Sequence, residues 1–273
     1  AITGSVGLDT GRTLSVQGTT TWTSGTINLN PTNNAGNTAN GVISVAVGGV
    51  FDAQTDTSLF ASDHSACCGN NDGGANAQVI NAGIFKKTAG SGTTAVSVVL
   101  NNSGTVDVQT GTLALSRGGT DTGSFTTAGG TLLDFAGGTH TLTNASAATS
   151  AGTIRVSNGT VFTAGTVPFG SRLELTGGTL SAGGSTTAAV YNQSGGTLAG
   201  AGTFTITGPS PSTWSGGNMT ETGTTVVQGP LAITGSGALD TGRTLQTSGT
   251  TTWTAGTINL NPTNNAGNTA NGV

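Results

Sequence analysis

Two adjacent cysteines, Cys67 and Cys68, mark the densest group of chemically capable side chains in this sequence. His64 lies close before them, Asp52, Asp56, Asp63 and Asp72 surround them, and no Lys or Arg falls between Asp52 and Gln78. A thiolate, an imidazole and carboxylates can ligate a metal, which makes Asp63, His64 and Asp72 the metal candidates. The spacing fits no standard zinc pattern, because no Cys-x-x-Cys pair is present. Adjacent cysteines bond to each other only through a strained ring. Cys67 and Cys68 are therefore disulfide or cross-link candidates toward a neighbouring loop or chain, an outcome that an oxidising location favours. A solvated loop with two inert thiols is the remaining reading. The acids of this stretch could also hold calcium, although the Gly-Gly-x-Gly-x-Asp turn of calcium-binding β-rolls is missing. The expectation for the chain is no resident metal and no cofactor.

Elsewhere the charges stand singly. Asp9, Arg12, Asp107, Arg117, Asp121, Asp134, Arg155, Arg172, Glu174 and Glu221 form no acid/base cluster of the kind that polysaccharide-cleaving enzymes need. Arg155 and Glu174, 19 residues apart, read as a surface ion pair on adjacent coils, and the isolated His140 as an outward or corner residue. No catalytic residue is assigned, and the chain is not expected to be an enzyme. Trp22, Trp214 and Trp253 are candidates for stacking on sugars, with packing as the competing reading. The runs Thr19–Thr23 and Thr250–Thr254 resemble part of an ice-binding face, but such a face needs the same Thr-x-Thr on nearly every coil, and here the register drifts.

The elements carrying these residues are short strands. Gly104–Gln109, Gly111–Ser116, Gly152–Ser157, Arg172–Thr176, Gly202–Ile206 and Gly25–Asn30 alternate strictly. Period two places Val106, Val108, Leu113, Leu115, Ile154, Val156, Leu173, Leu175, Phe204, Ile206, Ile27 and Leu29 on a buried face. Asp107, Arg155 and Glu174 then fall on the other face. No helical period occurs. The spacing between strands recurs near 19: Ile154, Val156 and Val161 lead to Leu173, Leu175 and Leu180, and Trp214 lies 39 residues before Trp253. This predicts a right-handed parallel β-helix with about 19–20 residues per coil, one continuous solenoid over 1–273. Residues 52–78 read as one long inserted loop, and the Asn- and Gly-rich stretch 30–41 as a second turn-rich loop.

A longer period lies over the short one. Ala1–Val42 returns as Ala232–Val273 at an offset of 231, differing only at Val6/Gly237, Gly7/Ala238, Ser15/Gln246, Val16/Thr247, Gln17/Ser248 and Ser24/Ala255. Residues 1–42 and 232–273 are thus equivalent ends of a tandem repeat, and the natural chain is expected to extend in both directions. At about 4.8 Å per stacked coil, about 12 coils would advance one repeat by roughly 58 Å.

Composition bounds the partners. Charged residues are 7% of the 273, against roughly 25% in an ordinary globular domain. Seven basic residues, with net charge −4, cannot form a nucleic-acid footprint. No apolar run is long enough to insert in a membrane. The Gly-Thr-φ-x-φ units (φ apolar), as in Gly104–Ser116 and Ser194–Phe204, resemble the filamentous-haemagglutinin-like adhesins and autotransporter passengers among giant bacterial surface and secreted proteins. That resemblance implies a right-handed parallel β-helix, export to the exterior or cell surface, and a structural role in a fibre, adhesin or biofilm-matrix filament. The partners it implies are tandem and side-by-side copies and host or surface glycans. It transfers no functional residues. A carbohydrate-binding or carbohydrate-cleaving solenoid is the alternative, and an ice-binding protein the third.

Overall fold

A computed structural model describes residues 1–33, 39–65, 72–144, 150–262 and 272. All regular structure among them is β, and the strands stack in parallel as a β-solenoid of about 12 turns. By its internal contacts the chain divides into two compact units, Ala1–Asp134 and Phe135–Val273.

Most strands are short because Gly, Asn or Ser interrupts the apolar alternation after about two inward side chains, and the corner that follows turns the chain onto the next face; Leu132–Thr143 and Thr153–Ala164, of 12 residues each, are longer than the sequence spacing predicts. In the first unit one face is the parallel sheet Thr19–Trp22, Val50–Ala53, Ile84–Lys87, Thr105–Val108 and Ser124–Thr127. In the second unit a separate sheet is Thr166–Pro168, Ser185–Ala188, Thr203–Ile206, Thr224–Val227 and Thr244–Thr247. The 19-residue spacing is the register of stacking: Val106 lies on Phe125, Ile154 on Leu173 and Val161 on Leu180. Trp214 and Trp253 are two turns apart, with Ile233 between them in register. The turn length is elastic, since Arg172 lies on Val190 and Asn192 on Thr213. Corners absorb the difference while the inward faces stay aligned.

Val106, Val108, Leu113, Leu115, Ile154, Val156, Leu173, Leu175, Phe204, Ile206, Ile27 and Leu29 are all buried. Burial of each such aliphatic or aromatic side chain contributes about 1.5–3 kcal/mol. Aromatic rings run up the first unit, where Trp22 tilts against Phe51 at 6.3 Å and Phe51 stacks on Phe85 at 5.2 Å. In the second unit Tyr191 meets Phe204 edge-on at 4.8 Å. Polar side chains also form pillars. Asn81, Asn102 and Asp121 occupy one inward corner on successive coils. There Asn81 Nδ2 donates to Asn102 Oδ1 at 2.7 Å and to Thr105 O at 2.9 Å. Asn102 Nδ2 continues the pattern by donating to Ser124 O at 3.2 Å, so the buried amide N–H groups bond from one coil to the next.

Backbone meets backbone at one corner. Thr105 N donates to Gly83 O and Ser124 N to Gly104 O. A Cβ on Gly104 would stand 2.1 Å from Gly83 O, and one on Gly123 2.1 Å from Gly104 O. Glycine is needed there for close approach. Gly104→Ala is expected to cost about 3 kcal/mol, because the coils must separate to admit the methyl. Gly129→Ala, in open space, should change stability by less than about 0.5 kcal/mol. Equal melting temperatures for the two variants would refute the steric account.

Two excursions leave the first unit. Ile27 lies on Leu59 and Val42 on Gln78, so the extra residues depart after Asn28 and after Phe60. The expected 52–78 loop is corrected in extent: Val50–Ala53 and Ser58–Phe60 are strands, and the excursion occupies 61–77. Phe51 and Leu59 hold the earlier segment to the core.

Candidate functional site

The two excursions fasten to each other through amides and one carboxylate. Asn28 ends its strand and accepts from Asn30 N at 2.9 Å, a side-chain-capped turn. Asn28 also donates from Nδ2 to Ser62 Oγ at 2.7 Å and accepts from Ser62 N at 3.2 Å. The buried Asn30 donates to Ser62 O at 2.9 Å and to Asp72 Oδ1 at 2.8 Å. Asn40 Nδ2 donates to the same oxygen at 3.3 Å, and its Oδ1 accepts from Asn76 N at 3.0 Å. His64 N donates to Asp72 O at 2.8 Å, and His64 Nε2 lies 3.1 Å from Asn30 O. On the outside, Asp9 grips the first excursion by accepting from Thr32 N and Thr32 Oγ1. Partial burial works against its ionised carboxyl, but the bonds from Thr32 and Thr10 outweigh that and hold it below the usual carboxylate range.

This geometry separates the metal candidates. Asp63 is exposed and accepts from Ser65 N and Ser65 Oγ, and the hydroxyl bond lowers its carboxyl below the usual range. Asp72 is buried in the amide grip. Among the described residues no three His, Cys, Asp or Glu side chains converge. Cys67 and Cys68 lie outside the described residues. Asp72→Ala is expected to cost about 2 kcal/mol by stranding the Asn30 and Asn40 amides. The gain of a proteolytic nick within 61–77 is the local readout, and protease resistance equal to the parent would refute the fastening role.

Asp52, on the strand Val50–Ala53, and Asp56, in the turn that follows it, belong to a separate charged group. Asp52 accepts from Thr88 Oγ1 at 2.7 Å and Gln54 Nε2 at 2.9 Å, with Lys86 Nζ 3.9 Å away. Lys87 is fully buried, and its Nζ donates to Asp56 Oδ1 at 2.6 Å and to Ala89 O at 2.9 Å. Period two foreshadows this, since Lys87 alternates with the inward Phe85 in Ile84–Lys87. The outward column beside it reads Thr21, Asp52, Lys86, Asp107, Thr126 from coil to coil. It is a mixed-charge column, not a threonine row.

Several expectations change. Trp22 and Trp214 are buried and donate from Nε1 to Gly25 O and Gly217 O, so neither offers a ring face to a sugar. Trp253 alone of the three is exposed. His140 points inward, edge-on to Phe135 with centroids 4.7 Å apart, because its neighbours pack it against the ring. Asp121 and Asp134 are buried as well. Arg155 and Glu174 are register partners on adjacent strands. Sequence reasoning missed Arg243, a buried guanidinium that donates to Thr225 Oγ1 at 2.8 Å and Gly200 O at 2.9 Å. Comparison with protein-family models, curated proteins and solved structures finds no match to the chain.

Proposed function

We propose that this chain is a structural repeat segment of an extracellular bacterial fibre, adhesin or matrix filament, with no enzymatic activity of its own. The observation that carries the reading is the equivalence of the duplicated segments. Val6–Gly7 pairs with Ile27–Asn28, and Gly237 and Ala238 pair with Ile258 and Asn259 at the same offset. The bridge Ile2–Trp22 recurs as Ile233–Trp253. A sequence that rebuilds the same coil each time it occurs is suited to setting length by repetition. Low charge with abundant Thr, Ser and Asn, and the likeness to filamentous-haemagglutinin-like and autotransporter-passenger repeats, support export and a surface role. The amide-clamped loops suit lateral contact with tandem or side-by-side copies, and the surface suits glycans as a further partner. The carbohydrate reading keeps only Trp253 of its three rings. The ice-binding reading finds one column, Thr166, Ser185, Thr203, Thr224 and Thr244, but the row two residues on reads Pro168, Thr187, Thr205, Val226 and Gln246, so no repeated Thr-x-Thr face forms.

The test is dimensional and cellular. Chains of one, two and three 231-residue repeats, imaged by electron microscopy, should lengthen by roughly 58 Å per repeat. Antibodies against the chain should label intact cells of the source organism. Particles of constant length, or labelling only after lysis, would overturn the proposal.

A further inference from the structure

The duplicated segment is an internal experiment, because one sequence is seen in two settings. Locally the copies agree. Val6 N donates to Thr26 O as Gly237 N does to Thr257 O, both at 2.9 Å. Thr26 N is bound by Ser5 Oγ as Thr257 N is by Ser236 Oγ, both at 3.1 Å. Thr10 and Thr241 share a positive φ, 53° and 55°. The indole of Trp22 donates to Gly25 O, and that of Trp253 to Gly256 O.

What differs is the cover. Trp22 is 0% exposed and Trp253 58%; Leu29 is 0% exposed and Leu260 49%. In the first copy the following coil supplies the difference. Val50–Ala53 lies in register on Thr19–Trp22, and Leu59 on Ile27. Gln54 N donates to Trp22 O at 2.8 Å, Leu29 N to Phe60 O at 2.7 Å, and Thr57 Oγ1 to Gly25 O at 2.6 Å. In the second copy, among the described residues, Thr251–Trp253 and Ile258–Asn259 pair on one side only.

We infer that the edge formed by Thr244–Thr247, Thr251–Trp253 and Ile258–Asn259 is a seat for another copy of the segment Val42–Phe60. That copy, supplied by a following repeat of the same polypeptide, takes the register it already has on the first copy. Its Phe51 closes over Trp253, and its Leu59 lies on Ile258. The inference rests on reading the chain as a repeat segment and specifies how one repeat engages the next. Trp253, Ile258, Leu260 and Asn261 match the covered residues of the first copy. Of the four differences within the seat, Gln246, Thr247, Ser248 and Ala255, only Thr247 replaces a residue, Val16, that is buried in the first copy.

A rival occupant is the opening edge of a second molecule, with its Ile2 on Trp253 as Ile233 lies on Trp214. Sterics oppose it. Gly237 is where the Trp214 ring passes, and a Cβ there would stand 2.4 Å from a ring carbon. In the opening edge that position is Val6, whose branched side chain would be driven into the Trp253 indole. The sequence difference at this position selects the Val42–Phe60 segment over end-to-end docking.

The test extends the full chain past Val273 with a second Ile43–Asn81. A control extension carries Phe51→Asp and Leu59→Asp in the appended segment only. Iodide should quench about one of the three tryptophans in the parent and in the control, and none in the extended chain, with a blue shift of emission. Equal quenching in parent and extended chain, with the extension shown intact by mass, would overturn the inference, as would equal protection by the control. Concentration-dependent dimerisation of the parent that itself protects Trp253 would also overturn it, in favour of end-to-end docking. Burial of Trp253 is read on single molecules and needs no filament or cell surface, so a failed seat and a failed fibre reading give different results.

Discussion

Trp22→Ala is expected to lower the stability of the first unit by about 4 kcal/mol, and Trp253→Ala, in the same local sequence, to cost less than about 1 kcal/mol. The side chains occupy matching positions in copies of one segment, and both indoles donate to the same turn carbonyl. Their difference is the coil above. Trp22 is enclosed by Phe51 and Ala53, so truncation removes buried apolar area and leaves a cavity that the stacked backbone cannot collapse into. Trp253 already faces solvent, and its loss costs little beyond the packing of one ring face. Chemical denaturation of the two variants, followed by circular dichroism, checks the contrast. Similar losses for both would mean that local sequence, not stacking, sets the contribution of each coil.

The second large effect is an asymmetry within one ion pair. Asp56→Ala is expected to cost about 3 kcal/mol, whereas Lys87→Met should cost about 1 kcal/mol or less. Lys87 is fully buried and Asp56 is 36% exposed. Removing the carboxylate strands an ammonium in the core with only the Ala89 carbonyl to receive it. Removing the ammonium leaves a carboxylate that water and Gly92 N can still satisfy. The pair also sets an acid limit. The bond from Lys87 holds the Asp56 carboxyl below the usual carboxylate range. A depressed folded-state value means the stabilisation is fully present above the unfolded value of about 3.9 and is lost as pH falls through the lower folded value. Melting temperature followed from pH 6 to pH 2 should fall more steeply for the parent than for Asp56→Asn. Parallel curves, or a costlier Lys87→Met than Asp56→Ala, would refute the assignment.

Much of this molecule is written locally. Alternation of apolar and polar residues determines which side chains of a short strand share a face, so Ile154 and Leu173 point inward from their own sequence. Recurrence near 19 determines which coil lies on which, since registry must keep the inward faces aligned. The 231-residue offset identifies equivalent coils. The sheet assignment of Asp52 was not legible, because Asp52 and Ala53 end the short strand begun by Val50 and Phe51 and carry a weak local signal of their own, and the packing of Phe51 and Leu59 on neighbouring coils holds the segment in the stack. Lys87 was half legible, through its alternation with Phe85, but its partner Asp56 sits 31 residues away across a turn.

The sequence by itself determined that the chain stacks short strands in register and that its first and last segments are one unit repeated, because both follow from periodicity along the chain. Only the tertiary structure decided that Asp72 is clamped by Asn30 and Asn40, that Arg243 is buried, and that Trp22 is covered while Trp253 is bare. Burial, hydrogen bonding and charge pairing are properties of the neighbouring coil, and in a solenoid that neighbour lies a full turn, or an inserted loop, away in sequence.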